Sequence, residues 1–229
     1  MDREQKKAFL TNHFVFDALS EGDIGLLLDN THSKKYVADE VIFFKGDPTT
    51  GMMAVVSGRV QIRIVSEDGK QLVLNTMREG EMLGEIGVLD GGDRTADAVA
   101  VEPTELLTID RRAFLDLVKR NPDFSMTLME ILCGRIRGTS EQAEDLALLD
   151  LKKRLAKKLL GLAGEKPSGP DGAKAVIRQS QQDLASMVGI TRESINKHLG
   201  AWAKNGLIAV RRNEIEIVDE QGLRDIFEP

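Results

Sequence analysis

The chain has 229 residues, 41% hydrophobic and 30% charged, with a formal net charge of −6. That length allows one large domain or two small ones, each with a real core, and the composition excludes a disordered chain or a fibre. Aromatic residues make up only 4%, so aliphatic packing must build the core.

A single cysteine, Cys133, excludes a disulfide within the chain and argues against an iron–sulfur cluster held by several thiolates. The start, MDREQKKAFL, is charged and lacks an apolar secretory core. No apolar run is long enough to span a membrane, so a cytoplasmic protein without a membrane partner is expected.

The charge is unevenly spread. Residues 1–149 hold 17 Lys and Arg against 26 Asp and Glu, a net of −9. Within 152–212 the count is 13 against 4, a net of +9. A basic segment joined to an acidic body suggests two domains, the second meeting a polyanion.

From Val37 to Ile109 the chain reads as short strands broken by turns. VIFF is followed by the turn KGDPTTG. In RVQIRIV, Val60, Ile62 and Ile64 fall on one face, with Gln61 and Arg63 on the other. Asp68–Gly69 is a hairpin dipeptide, and LVLNTM and ELLTID are further strands. Short strands at this spacing predict a β-sandwich or barrel, often called a jelly roll. Neither a Rossmann glycine motif nor a P-loop occurs.

After Asp110 the period changes. RRAFLDLVKR is a short amphipathic helix, and Asn121–Pro122 restarts a helix with proline in its first turn. From Asp123 an apolar pattern runs for close to 28 residues through Phe124, Leu128, Ile131, Leu132, Ile136, Ala143 and Leu146. A helix this long has an apolar stripe to spare, and a parallel homodimer is its simplest use. The expected interface residues are Leu128, Ile131, Leu132, Arg135, Thr139 and Leu146. Leu149 and Asp150 form the expected hinge, with Asp150 capping the next helix, LKKRLAKKLLGLA.

The loop GEKPSGPDGAK and the short strand AVI precede a helix, a tight turn and a second helix. Leu184, Ala185 and Val188 form the apolar face of the first helix, and Gly189 supplies the left-handed conformation the turn needs. Thr191 caps the second, which turns Ile195, Leu199 and Trp202 inward and Arg192, Glu193, Asn196 and Lys197 outward. LIAV, RRN and EIEIV then form a two-stranded wing. This is a winged helix-turn-helix, whose second helix enters the major groove of double-stranded DNA. Arg192 suits guanine, Glu193 suits cytosine, and Lys197 suits guanine or a phosphate. Ser180, Gln181, Gln182 and Thr191 complete the expected DNA-contacting set.

Taken together, the stretches DEVIFFKGD, SGRVQI, EDGKQLVL, GEIGVLDGGDRT, NPDF, GTSEQAEDLALLD and ITRESINKHL resemble the cyclic-AMP receptor protein branch of the catabolite-activator/fumarate–nitrate-regulator superfamily, from about Asn12 to Val218. The resemblance implies an α+β fold: an N-terminal cyclic-nucleotide-binding β-roll with flanking helices (1–121), a long dimerisation helix (122–149) and a C-terminal winged helix-turn-helix (150–229). It implies a cyclic nucleotide as effector and a palindromic operator, RNA polymerase and a second copy of the chain as partners.

In the glycine-rich stretch, Arg94 would pair with the phosphate, since a planar fork suits two oxygens, and Thr95 would add a hydroxyl. Glu85 would accept from the ribose 2′-OH. Gly84, which precedes Glu85 and Ile86, would let the backbone approach closely. By the resemblance, Thr139 and Ser140 would contact the base, Ser140 from the partner subunit.

Asp93 stands where the family pattern has proline. Thr95 keeps cyclic GMP open beside cyclic AMP. Another effector, a cyclic dinucleotide among them, and activity without ligand are the remaining alternatives. Haem would need an axial histidine, but His13 and His32 precede the expected strands and His198 lies on the recognition helix. The three scattered histidines form no metal cluster for a phosphodiesterase, and the kinase motifs are missing, so no enzyme is expected.

Overall fold

The computed structural model describes residues 1–164, 176–212 and 214–227. Internal contacts divide the chain into two units, Met1–Ile64 with Leu74–Arg137, and Val65–Val73 with Gly138–Pro229.

The first unit opens with helix α1 (Arg3–Thr11), one 3₁₀ turn (Phe14–Phe16) and helix α2 (Glu21–Asp29). Both helices start on capping boxes, Asp2 with Gln5 and Ser20 with Asp23, so their first N–H groups are satisfied locally. Strands β1 (Thr31–Tyr36), β2 (Val41–Phe43), β3 (Gly51–Ser57), β4 (Arg59–Val65), β5 (Gln71–Arg78) and β6 (Met82–Leu83) follow. Helix α3 (Glu85–Asp90) interrupts them before β7 (Asp97–Ala100) and β8 (Thr104–Asp110). They form two four-stranded sheets, β1–β8–β3–β6 and β2–β7–β4–β5. The jelly-roll reading of this region is met.

Two expectations change. The chain enters the roll earlier than Val37, because Thr31–Tyr36 pairs with β8 from Thr31↔Ile109 to Tyr36↔Thr104. This edge strand, THSKKY, is nearly all polar and is held by backbone hydrogen bonds, so apolar alternation does not announce it. His32 therefore sits within the roll. Gln61, expected on the outer face of β4, is buried.

Helix α4 (Arg111–Arg120) and helix α5 (Pro122–Leu148) complete the expected helical run. Phe124, near the start of α5, stacks on Phe16 at 6.0 Å and meets Phe114 of α4 edge-on at 5.6 Å. This aromatic triad joins the N-terminal turn, α4 and α5 in one core with Leu10, Leu27, Met52, Leu107 and Leu117.

In the second unit α5 ends and helix α6 (Leu151–Gly164) begins. Strand β9 (Val176–Ile177), helices α7 (Gln181–Val188) and α8 (Arg192–Lys204), strands β10 (Ile208–Arg211) and β11 (Glu214–Ile217) and helix α9 (Glu220–Phe227) follow. The wing has three strands rather than two, ordered β10–β11–β9, because Ile177 and Val176 pair with Ile215 and Glu216. Leu155, Leu159, Leu184, Ile195, Leu199, Trp202, Ile208, Ile215 and Leu223 form its core. The expected loop between α6 and β9 lies, but for Gly164, outside the described residues. Helix α5 runs from Pro122 to Leu148, and the internal contacts divide the chain within it, between Arg137 and Gly138.

His13 is a buried titratable group in the first unit. Phe9, Phe14 and Phe16 surround its ring at 5.1–5.3 Å, and Nδ1 accepts from the Val15 N–H at 3.3 Å. Burial lowers its pKa from the ordinary 6.5, against opposing contributions from the Gly80 backbone and the Asp17 carboxylate. A depressed histidine leaves the unfolded chain holding more protons than the folded one once the pH drops below the ordinary value. The His13 contribution is thus fully present above about pH 6.5 and fades as pH falls from there through the lower folded-state value. Urea unfolding between pH 5 and 8 should show this decline in the wild type and a flatter profile in His13→Gln. Equal slopes in both proteins would remove His13 as the cause.

Candidate functional site

The glycine-rich stretch folds as the β6–α3–β7 segment. Gly84 occupies the left-handed region at φ 80° and begins α3. A Cβ on Gly84 would lie 2.2 Å from Arg94 Nη1, so only glycine lets the guanidinium close over the backbone. Arg94 donates from Nη1 to the Gly84 carbonyl at 2.9 Å and from Nη2 to the Gly51 carbonyl at 2.7 Å. Its guanidinium carbon lies 4.3 Å above the Phe43 ring centre, a cation–π contact. The Arg94 backbone is fixed as well, by the Asp47 carbonyl at 2.9 Å and the Gly46 N–H at 2.8 Å. Burial lowers the Arg94 pKa from its ordinary value, and the nearby Glu85 and Asp47 carboxylates oppose that shift.

Glu85, also buried, forms an ion pair with Arg135 of α5 at 2.5 Å. Arg135 Nη2 also donates to the Met82 carbonyl. The structure therefore places a buried carboxylate next to Gly84 in the chain and a buried guanidinium on the Gly84 carbonyl. It adds Arg135, Phe43 and Gly51, which sequence reading missed. Arg135 could be noticed as a cation interrupting an apolar helix stripe, but nothing in the sequence aims it at Glu85. Thr95 and Ile86 are exposed, and so is Asp93. Thr139 and Ser140 are exposed on α5, beyond Arg137 and thus in the second unit.

The faces of α5 are assigned differently from expectation. Leu128 is buried in the core of the first unit, Ile131 and Leu132 pack against that core, and Arg135 is spent on Glu85. These four face the roll of their own chain. The exposed apolar ridge runs one position over, through Met126, Met129, Cys133 and Ile136, and continues in Ser140, Ala143 and Ala147. Its spacing alternates three and four residues, the repeat of a coiled-coil seam. Thr139 and Leu146, the other two expected interface residues, are exposed beside it.

A helix break lies at Leu149–Asp150, where the hinge was expected, and it is braced. Asp150 accepts from the Lys153 N–H at 3.0 Å, which lowers its pKa, and Arg154 donates to the Leu149 carbonyl at 2.9 Å. Lys157 of α6 reaches Asp145 of α5 at 2.7 Å across the break.

In the helix-turn-helix, Ser180 caps α7 through a box with Asp183, so its hydroxyl already serves the helix. Gly189 takes φ 73°, and Thr191 caps α8 by accepting from the Ser194 N–H at 3.3 Å. Ile195, Leu199 and Trp202 are buried, while Arg192, Glu193, Asn196 and Lys197 stand exposed on the opposite face. Gln181 and Gln182 lie at the first turn of α7. Among the described residues, no group of three or more His, Cys, Asp or Glu is placed to hold a metal, and no helix is long and apolar enough to cross a membrane.

Comparison with known proteins matches both halves. The family described as Cyclic nucleotide-binding domain covers residues 33–121, and the Crp-like helix-turn-helix domain covers 153–226. A Pasteurella multocida protein, the cAMP-activated global transcriptional regulator CRP, is 31% identical over 193 residues, 83% of this chain and 91% of its own. The CRP-like cAMP-activated global transcriptional regulator of Mycobacterium tuberculosis is 29% identical over 210 residues, 91% of this chain and 94% of its own. The solved structure of the c-di-GMP responsive global regulator CLP of Xanthomonas campestris superposes with a TM-score of 0.76 at 27% identity, covering 86% of this chain and 99% of that one.

A β-roll with a cyclic nucleotide-binding domain, followed by a long helix and a helix-turn-helix, defines a cyclic-nucleotide-responsive DNA-binding regulator. The chain belongs to the CRP/FNR family of transcription regulators, and the relatives it matches are regulators, not enzymes.

Proposed function

We propose that the chain acts in the cytoplasm as a homodimeric transcription regulator whose effector is cyclic AMP. One observation carries the reading: buried Arg94 and buried Glu85 flank Gly84, a cation and a hydroxyl acceptor set about a point of close backbone approach. Arg94 meets the phosphate with the N–H groups not committed to Gly84 and Gly51. Glu85, steadied by Arg135, accepts from the ribose 2′-OH. Thr139 and Ser140 carry the base contacts on the family pattern alone. Exposed Thr95 gives the specific reason to keep cyclic GMP as the second reading, and the cyclic dinucleotide named for the Xanthomonas protein is the third.

The dimer seam in this proposal is the ridge Met126, Met129, Cys133, Ile136, Ser140, Ala143 and Ala147, one position away from the residues expected first. Ligand shifts the population of DNA-domain orientations about Leu149–Asp150 so that two α8 helices meet a palindromic operator, with RNA polymerase as the protein partner on family grounds.

Calorimetric titration with cyclic AMP, cyclic GMP and cyclic di-GMP tests the effector. Cyclic AMP should bind most tightly. Arg94→Ala, checked for folding by circular dichroism, should lose about 2–5 kcal/mol, on the order of 30-fold or more in affinity. Undiminished binding in the folded variant would end the phosphate assignment.

Ile136→Glu places two carboxylates face to face across the seam and should yield monomer in light scattering. Leu132→Glu should instead damage the fold of the first unit. Dimer persisting at Ile136→Glu moves the interface elsewhere.

At the DNA, Arg192→Ala should cost about 1–3 kcal/mol and relax preference at one base pair per half-site. Lys197→Ala should weaken all sequences alike and lower the salt slope by about one. Randomised-site selection at fixed salt separates the two roles, and an altered motif only in the Lys197 variant exchanges reader and anchor.

A further inference from the structure

Helix α3 has six residues and carries Glu85 at its first position, so whatever fixes α3 fixes the carboxylate. Its C-terminal end is held by a residue that neither the phosphate nor the hydroxyl contact uses. Arg111, the first residue of α4, donates from Nε to the Val88 carbonyl at 3.0 Å. Its Nη2 lies over Gly91, where a Cβ would come within 3.3 Å of it. A guanidinium at the carbonyl end of a helix satisfies an orphan acceptor and meets the negative end of the helix dipole.

Arg111 is itself anchored. Its N–H donates to the Thr50 carbonyl at 3.0 Å. The neighbouring Gly51 carbonyl holds Arg94, and Thr49 Oγ1 lies against Gly87 of α3, where a Cβ would meet it at 2.2 Å. Three consecutive residues, Thr49–Gly51, therefore join α3, Arg111 and Arg94. Three positions further along α4, Phe114 meets Phe124 of α5 edge-on.

We propose that Arg111 is a second positioning residue for Glu85, acting through α3 where Arg135 acts on the carboxylate directly. It holds the far end of α3 so that the carboxylate at the near end is presented to a ribose hydroxyl. It also ties that helix through α4 to the start of α5. This rests on the reading of Glu85 as the acceptor for the 2′-OH.

The test compares cyclic AMP with 2′-deoxy-cyclic AMP by calorimetry on the full chain. Wild type should favour the ribose form roughly tenfold to a hundredfold, as for one hydrogen bond to a charged acceptor. Arg111→Met keeps the apolar stem and removes the donors. It should bring that ratio close to one while leaving 2′-deoxy-cyclic AMP affinity within about twofold. Arg111→Gln is the second variant, so that a folding defect in one does not decide the outcome, and Arg111→Lys should restore part of the ratio. A wild-type ratio that persists in Arg111→Met or Arg111→Gln overturns the positioning role, as does an equal loss for both nucleotides. A wild type that does not discriminate overturns the Glu85 reading and the Arg111 role with it.

Discussion

A carboxylate withdrawn from water must be given a cation, and Glu85 is given Arg135. Removing Arg135 would leave the buried carboxylate unanswered, which costs far more than an exposed pair returns. This pair constrains the rest. It fixes one face of α5 against the roll, at a point eleven residues beyond Phe124, whose ring is locked between Phe16 and Phe114. Two anchors on one helix settle its rotation, and the rotation decides which side chains remain exposed. Leu128, Ile131 and Leu132 fall on the anchored side, so the outward ridge is Met126, Met129, Cys133 and Ile136.

The same constraint explains what the sequence could and could not disclose. The strand–turn pattern, the single long helix and the paired helices about Gly189 are written in local periodicity and turn chemistry, and they are found where expected. The rotation of α5 is not local. Its apolar residues are dense enough to support two stripes one position apart, and a tertiary ion pair to Glu85 selects between them. β1 is hidden for a different reason: an edge strand of THSKKY makes its case through backbone pairing with β8, and only Tyr36 is buried. Helix α9 is short and lies among acidic residues, so little in its sequence marks it, although Leu223 is fully buried in the core of the second unit. At the site, Arg94 and Glu85 were legible as residue types. Phe43 beneath Arg94 and the carbonyl of Gly51 come from segments more than forty residues away and leave no trace in spacing.

The charge division also has a structural counterpart. In the second unit basic residues on the wing are already matched with acids: Arg178 with Glu214 at 3.0 Å and Arg211 with Glu216 at 3.8 Å. These pairs are exposed on the arginine side, so each is worth little and exchanges readily for a phosphate. The cationic excess is confined to residues 152–212, a net of +9, and suits a polyanion, whereas acids on either side of that stretch bring the second unit as a whole close to neutral.

The outward ridge of α5 is graded in size. Met126, Met129 and Ile136 are bulky, whereas Ser140, Ala143 and Ala147 are small. Two such helices in parallel would form a wedge, spread where the large side chains interlock and converging where the small ones meet. Grip and adjustability would then fall to opposite ends of that proposed seam: cohesion to the amino-terminal half, and sliding or changes of crossing angle to the narrow half. In the proposed dimer, this grading would hold the two copies together through the bulky half of the ridge and leave the small-residue half free to adjust.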